Sequence, residues 1–368
     1  MSQIDNFFSL KFDESTMTKL FIFEKYVENW IPVFLKQQVD YIYIFDFFAG
    51  VGYDSEGNSG SPIIILKQIV NHLPNISKTK IRLFFNDYKK KRIKELRSNC
   101  DDYLKRYLLL DKLVSIEYYS EDFKNIFDRL KNKIGEYPSL VFMDQFGVKY
   151  SSYINEFEKF DRTDFLLFVS SSYLRRFAKT PEFKNALKLS DKEIEKLMAT
   201  PYKLIHEATV QFLKGRLSPN SPLKLYPFSL KKGTNIYGLI FGAKHPLAVD
   251  NFLRMAWKIS SENGSANYDI YNDEEKEMPN LFPELRGKTT LDLFREEFKE
   301  KILNGTIQTN EDAYYYTLEK GFSPEHAKEI LKNLKKSGEI YYNSKGPLVN
   351  YKSVVKKRRI VEYEKDKN

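Results

Sequence analysis

Apolar residues fall into two alternating rhythms along the chain. Short runs with almost no polar interruption recur at 41–48 (YIYIFDFF), 81–86 (IRLFFN), 114–119 (VSIEYY), 140–143 (LVFM) and 165–170 (FLLFVS). Runs of this length and composition read as strands covered on both faces, as in the middle of a parallel sheet. Helical spacing separates them, over IIILKQIVNHL behind Ser61-Pro62, over 89–108 and 122–134, and near 152–160. Pro62 suits a first helical turn, where the missing amide has no intrahelical partner anyway. Strand and helix in alternation predict five parallel strands joined by right-handed crossovers. A leading helix over 15–34 sets Leu20, Phe23, Tyr26, Val27 and Trp30 at helical spacing and is expected to end near Pro32.

Past the fifth strand the rhythm changes. Residues 191–213 read as a helix, 224–229 and 235–242 as strands joined by KKGTN with Gly233 in the turn, and 246–260 as a further helix. An antiparallel pair closing a parallel sheet is the arrangement of Rossmann-like, S-adenosylmethionine (SAM) methyltransferase folds, so residues 1–262 are expected to form an α/β domain of that type. Residues 263–288, rich in Gly, Asn, Asp, Glu and Pro, read as a linker. Helices follow at 291–303 and 311–320, and a third opens at Ser323-Pro324 and stops at Gly338. EIYYNSKGPLVNYK then predicts a hairpin turning at Ser344-Lys345-Gly346. Three helices and a hairpin make a winged helix-turn-helix over 289–356, a module used for nucleic acid and also for protein contacts. Residues 357–368 read as a charged tail.

Charge sharpens this picture. The 59 Lys and Arg exceed the 50 Asp and Glu by nine, and the stretch from Lys328 to Arg359 holds ten of the cations against two acids. Such polarisation fits a polyanionic partner, because each phosphate neutralised releases condensed counterions, although a solvated helix face carries the same signature. Lys332, Lys335, Lys336 and Lys345 are the candidate nucleic-acid contacts in this stretch. The single cysteine, Cys100, excludes an intrachain disulfide framework, and four scattered histidines show no metal-ligand spacing. No metal and a reducing cytoplasmic compartment are therefore expected. Neither the opening MSQIDNFFSLKFDE nor any later window has the apolar run of a signal peptide or membrane span.

The candidate chemistry gathers where strands end. In an open α/β sheet the ligand sits outside the carboxyl ends of the strands, and glycines there admit it to the backbone. Asp46, Gly50 and Gly52 follow the first strand, on a loop longer than the dinucleotide fingerprint allows, which favours SAM over NAD. Asp87, after the second strand, is placed to accept both ribose hydroxyls, or else to cap the next helix. Asp122, after the third, has the same two options with the adenine amino group in place of ribose. Asp144, in Asp144-Gln145-Phe146-Gly147 after the fourth, is the candidate catalytic acceptor, with Phe146 to stack on a planar substrate; a structural turn is the alternative. Arg175 and Arg176, after the fifth, are candidate phosphate partners or a solvated pair.

At these residues the chain resembles the three-Cys-motif partner proteins (TcmP), bacterial proteins with a methyltransferase-like fold. The resemblance runs from Lys19 and the Tyr26–Trp30 helix through Asp46–Gly50, Gly60-Ser61-Pro62, Asp144–Gly147 and Arg175 to Tyr237–Phe241 and His245-Pro246. Where that family usually reads Asp-Pro-Phe-Gly, Gln145 replaces the proline and loosens the backbone. The resemblance implies a neighbour protein with a three-cysteine motif, similar to radical-SAM enzymes, and a setting among mobile or defence-type genes. The first loop is also similar to that of DNA cytosine-5 methyltransferases, but their Pro-Cys nucleophile has no counterpart: Gln145 stands where that loop begins. Two functions are thus expected in competition: a SAM-dependent methyltransferase acting on nucleic acid, and a non-catalytic nucleic-acid-binding partner subunit. A nuclease fits poorly, since no Asp, Glu and Lys cluster has metal-site spacing.

Overall fold

The computed structural model describes residues 11–76, 78–107, 110–145, 147–181, 184, 189–261, 263–277 and 287–365. It divides into two compact units, Met1–Lys244 and His245–Asn368.

The first unit opens with α1 (Glu14–Gln37), whose N-cap Asp13 accepts the Thr16 amide. Pro32 does not end this helix, contrary to expectation; α1 continues to a left-handed Gln38. A proline inside a helix withdraws the amide that residue i−4 would accept. Here the orphaned carbonyl of Glu28 instead accepts from His72 Nε2 at 3.2 Å, so the lost bond is replaced from a neighbouring helix.

After α1 come β1 (Tyr41–Asp46), α2 (Ser61–His72), β2 (Lys80–Asn86), α3 (Lys90–Leu104), β3 (Val114–Tyr119), α4 (Phe123–Leu130), β4 (Ser139–Met143) and β5 (Thr163–Val169). The expected helix near 152–160 is a 3-10 segment, Ser151–Lys159. Helices α5 (Ser171–Phe177), α6 (Asp191–Ala199) and α7 (Ile205–Lys214) follow, then β6 (Lys224–Lys232) and β7 (Asn235–Ala243). The single helix expected over 191–213 is broken at Thr200-Pro201, where Thr200 turns extended. The seven strands lie in the order β3-β2-β1-β4-β5-β7-β6, with β1 to β5 parallel and β7 antiparallel to both neighbours. This is the Rossmann-like methyltransferase sheet. Register aligns Asp46 with Phe85 on one side and Phe142 on the other, so β1, β2 and β4 end together.

Two glycines of β7 are required by what packs on them. A Cβ at Gly238 would stand 2.2 Å from the His206 ring, and one at Gly242 2.2 Å from the Phe165 ring. His206 is fully buried, with Nε2 donating to the Leu239 carbonyl at 3.0 Å and Nδ1 accepting from the Ser171 hydroxyl at 2.8 Å. Burial pulls its pKa down to about 4, so the ring is neutral and both nitrogens are used.

The second unit contains α8 (Pro246–Ile259), α9 (Asp273–Glu277), α10 (Thr290–Leu303), α11 (Asn310–Glu319), α12 (Pro324–Lys336), β8 (Ile340–Tyr341) and β9 (Glu364–Lys365). The helix over 246–260, expected within residues 1–262, groups with this unit. Part of the expected linker is ordered structure: Asp269 accepts the Asp273 and Glu274 amides, and buried Asp273 accepts the Thr290 amide at 3.0 Å. Residues 278–286 of that stretch lie outside the described ones.

The wing differs from the expected hairpin. Residues 347–352 do not pair with β8; its partner is β9, reached through a π-helical turn at Lys352–Lys356. Residues 357–365 of the expected charged tail are therefore part of the unit, because Val361 and Tyr363 are buried within it; 366–368 lie outside the described residues. The reason is buried Asn310, whose side chain donates to the carbonyls of Leu348 and Arg359 and accepts the Val361 amide at 2.8 Å. Among the described residues, no helix is long and apolar enough to cross a membrane.

Gly238→Ala should destabilise the first unit by about 1–3 kcal/mol, since the His206 ring must leave and two buried bonds break with it. Chemical denaturation tests this: a midpoint equal to that of the native chain would mean the ring has room to move.

Candidate functional site

Three carboxylates meet where the central strands end. Asp46 is fully buried; one oxygen accepts the Phe48 amide at 3.1 Å and the other the Ser61 hydroxyl at 2.6 Å. Burial pushes its pKa up to about 7, its two hydrogen bonds resist the rise, and the charges of Asp144 and Asp87 add to it. The rim is tied by Asn86, whose amide donates to the carbonyls of Phe47 and Glu121 while its oxygen accepts the Glu121 amide. The Asn86 carbonyl also takes the Ala49 amide at 2.9 Å.

The loop after β1 turns left-handed at Gly50, φ 63°, and Gly52, φ 93°. The two differ in what a side chain would meet. A Cβ at Gly50 points into open space, whereas one at Gly52 would press on Leu96 at 3.1 Å and Ile63 at 3.2 Å. Gly52 therefore lets α2 and α3 close on the loop, and Gly50 leaves a cradle open. Asp54 organises the remainder of the loop. Burial opposes its ionisation, yet hydrogen bonds from Phe12, Asn58 and Glu56 hold its carboxyl below the ordinary range.

Asp122 caps α4, whereas Asp87 bonds to the amide of Lys89, the N-cap residue of α3, and is not itself the cap; both keep acceptor capacity. Asp87 Oδ1 accepts the Lys89 amide at 2.8 Å and Oδ2 lies 3.5 Å from the Arg92 guanidinium. Asp122 Oδ1 accepts the Lys124 amide at the start of α4, and its other oxygen meets the Tyr150 hydroxyl at 3.4 Å. A carboxylate offers about four lone-pair sites, so both can accept further donors. Asp144 pairs with Lys19 from α1, and Lys19 Nζ lies over the Phe168 ring, 4.5 Å from its centroid. Gln145 turns inward, accepting the Tyr150 amide and donating to the Ser151 hydroxyl, so two hydrogen bonds hold this turn. Phe146 lies outside the described residues.

Sequence reasoning missed Lys19 as a partner of Asp144, and it missed the aromatic residues of the rim. Phe48 and Tyr150, from the segments after β1 and β4, and Phe123, the first residue of α4, form a cluster with Phe48–Phe123 stacked at 5.5 Å and Phe123–Tyr150 at 4.4 Å. Tyr88, next to Asp87, is 74% exposed. The available signal was an aromatic residue within a few positions of each strand end. Arg175 and Arg176 are engaged with the Thr200 carbonyl and the Asn235 side chain. In the second unit Lys332, Lys336 and Lys345 are exposed, while Lys335 donates to the Tyr342 carbonyl at 2.7 Å over that residue's ring.

Comparison with known proteins bears on the second unit through a family model. A family model described as GMT-like wHTH domain matches residues 271–347, starting upstream of the expected boundary at 289. Among solved structures, the chain is similar to a putative O-methyltransferase from Klebsiella pneumoniae (12% identity, 66% of this chain and 96% of that one, TM-score 0.30). It is also similar to the O-methyltransferase TomG from Streptomyces achromogenes, solved with SAM (14%, 66% and 95%, TM-score 0.32). A third is the delta-N METTL16 methyltransferase domain (12%, 65% and 90%, TM-score 0.30). The fold assignment rests on the strand order, not on these superpositions. No curated protein matches the chain. The molecule thus combines a methyltransferase-like fold with a winged helix domain.

The raised pKa of Asp46 sets a pH dependence. Its folded value of about 7 lies above its ordinary 3.8, so between these values the folded chain holds a proton that the unfolded chain has lost. Its contribution is full below about pH 4 and is lost as pH rises through 7, at up to about 1.4 kcal/mol per pH unit. Asp46→Asn should flatten the fall in urea midpoint between pH 4.5 and 7; a slope parallel to the native one would refute the assignment.

Proposed function

We propose that this chain is a SAM-dependent methyltransferase acting on nucleic acid, and a three-Cys-motif partner protein. The observation that carries the reading is the left-handed turn at Gly50, open where a side chain would stand, beside three carboxylates on adjacent strand ends. SAM, when bound, supplies a methyl group on a sulfonium centre. Asp46, Gly50 and Gly52 form the loop that would hold its amino-acid part, and Asp87 retains the acceptor capacity for ribose hydroxyls. Asp122 and the Phe48–Phe123–Tyr150 wall would face the base. Asp144 accepts a hydrogen bond from the substrate's exocyclic amine or ring nitrogen, aided by Phe146, and Lys19 fixes the carboxylate. Such a transfer depends mostly on alignment, with an acceptor to relieve developing positive charge. Lys332, Lys335, Lys336 and Lys345 of the winged helix would deliver the nucleic acid, with Arg175 and Arg176 at the sheet edge.

One observation favours a second reading. Lys19 already occupies one oxygen of Asp144, as suits a non-catalytic subunit that binds nucleic acid beside its three-Cys-motif neighbour. Calorimetric titration with SAM separates these ideas from error in the fold-based assignment. Binding is expected for the native chain and loss for Gly50→Arg, with unchanged circular dichroism; undiminished binding by the variant removes the cofactor site. Transfer of labelled methyl to DNA or RNA, abolished in Asp144→Ala, selects the enzyme. SAM binding without transfer, together with co-purification of the neighbour, selects the partner subunit.

A further inference from the structure

The start of α12, which in a helix-turn-helix reads base edges, is already occupied within the second unit. Trp257 of α8 donates to the Gly321 carbonyl at 2.9 Å, stacks on Phe322 at 5.1 Å and meets His326 edge-on at 4.4 Å. Gly264 approaches so closely that a Cβ there would stand 2.5 Å from the Trp257 ring. Arg254, also of α8, pairs with Glu325 at 2.5 Å, and Ser323 and Pro324 are buried. The solvent-facing strip of α12 reads Glu325, Glu329, Lys332, Lys336, so its first half is acidic and only its second half basic.

The uncommitted cations lie further along. Lys352, Lys356, Lys357, Arg358 and Arg359 are all exposed, and none has an acidic partner at ion-pair distance among the described residues. Glu362 and Glu364, the acids next in sequence, are exposed and stand at ion-pair distance from none of these cations, while Glu329 pairs with Arg295 and Glu339 with Lys299. This segment is also held in shape. The Lys357 amide bonds to the Lys352 carbonyl, the Arg359 amide to Ser353, and the Arg359 carbonyl to the Asn310 side chain. A preorganised run of unpaired cations loses little entropy on meeting phosphates, in contrast to a floppy tail.

We infer that the second unit grips the phosphate backbone of duplex nucleic acid through the Lys352–Arg359 ridge, with Lys332 and Lys336, and does not read sequence through the start of α12. The inference rests on the nucleic-acid reading above. Phosphate contacts position a duplex without carrying sequence information, so the expected binding is indifferent to sequence and strongly dependent on salt.

The test uses the full chain with fluorescent 20-base-pair duplexes of unrelated sequence, as DNA and as RNA, titrated at several salt concentrations. The native chain should bind sequences of one type with affinities within about threefold. The quadruple variant Lys356→Gln, Lys357→Gln, Arg358→Gln, Arg359→Gln should lose roughly 100-fold or more at physiological salt, with a log–log salt slope smaller by about 3–4. A quadruple variant that binds like the native chain overturns the ridge and leaves the nucleic-acid reading standing, as does a native chain that prefers one sequence by 1000-fold or more, typical of base readers. No binding of either duplex by the native chain at low salt overturns both. The DNA and RNA arms tell which duplex supplies the phosphates, and unchanged circular dichroism of the variant excludes unfolding as the cause.

Discussion

The rim of the first unit depends on a requirement that buried polar groups be paired where three strands stop. At the ends of β1, β2 and β3 the sheet ladder runs out and main-chain groups of Phe47, Ala49 and Glu121 lose their regular partners. Asn86 replaces them, with both ends of its side-chain amide and its own carbonyl engaged. An aspartate there could accept from Glu121 but could not donate to two carbonyls. The loops that carry Gly50, Asp87 and Asp122 therefore keep fixed mutual positions because one residue is an amide and not an acid.

A second support comes from the opposite end of the sheet. Asp164 at the start of β5 is buried, and a single oxygen of it accepts from both Tyr26 and Trp30 at 2.9 Å. Burial pushes its pKa up to about 7, and the two donors act against that rise. These bonds fix the rotation of α1 about its axis, and the bond from His72 lets the helix pass Pro32 without a break in its hydrogen bonding. With rotation fixed, Lys19, two turns before Tyr26, has one place to go. It meets Asp144 at the carboxyl edge, so an anchor beneath the sheet determines a contact above it.

The elements that were legible in the sequence are those whose signal is local. Each parallel strand is a buried apolar run, and the glycines after β1 follow the first such run directly, so Asp46 and Gly50 could be found by position. What escaped is long-range. Continuation through Pro32 depends on His72, and the partner of Asp144 lies 125 residues earlier in the chain. Gly238 and Gly242 read as ordinary strand glycines until the rings of His206 and Phe165 explain them. The return strand of the wing did carry a local mark, Val361 and Tyr363 alternating with Glu362 and Glu364. The neighbouring run of cations and the closer turn residues at 344–346 outweighed it.

The Lys19–Asp144 pair bears on how the rim can act. Asp144 remains 27% exposed while its partner is 7% exposed, so the cation is enclosed and the carboxylate is the half open to solvent. Lys19 is confined further by the Phe168 ring. A carboxylate held by an enclosed cation keeps its orientation when a substrate arrives, and a fixed acceptor spares the reorganisation that a mobile one would require. An acceptor fixed in this way suits the alignment of an amine, which methyl transfer to nitrogen requires first.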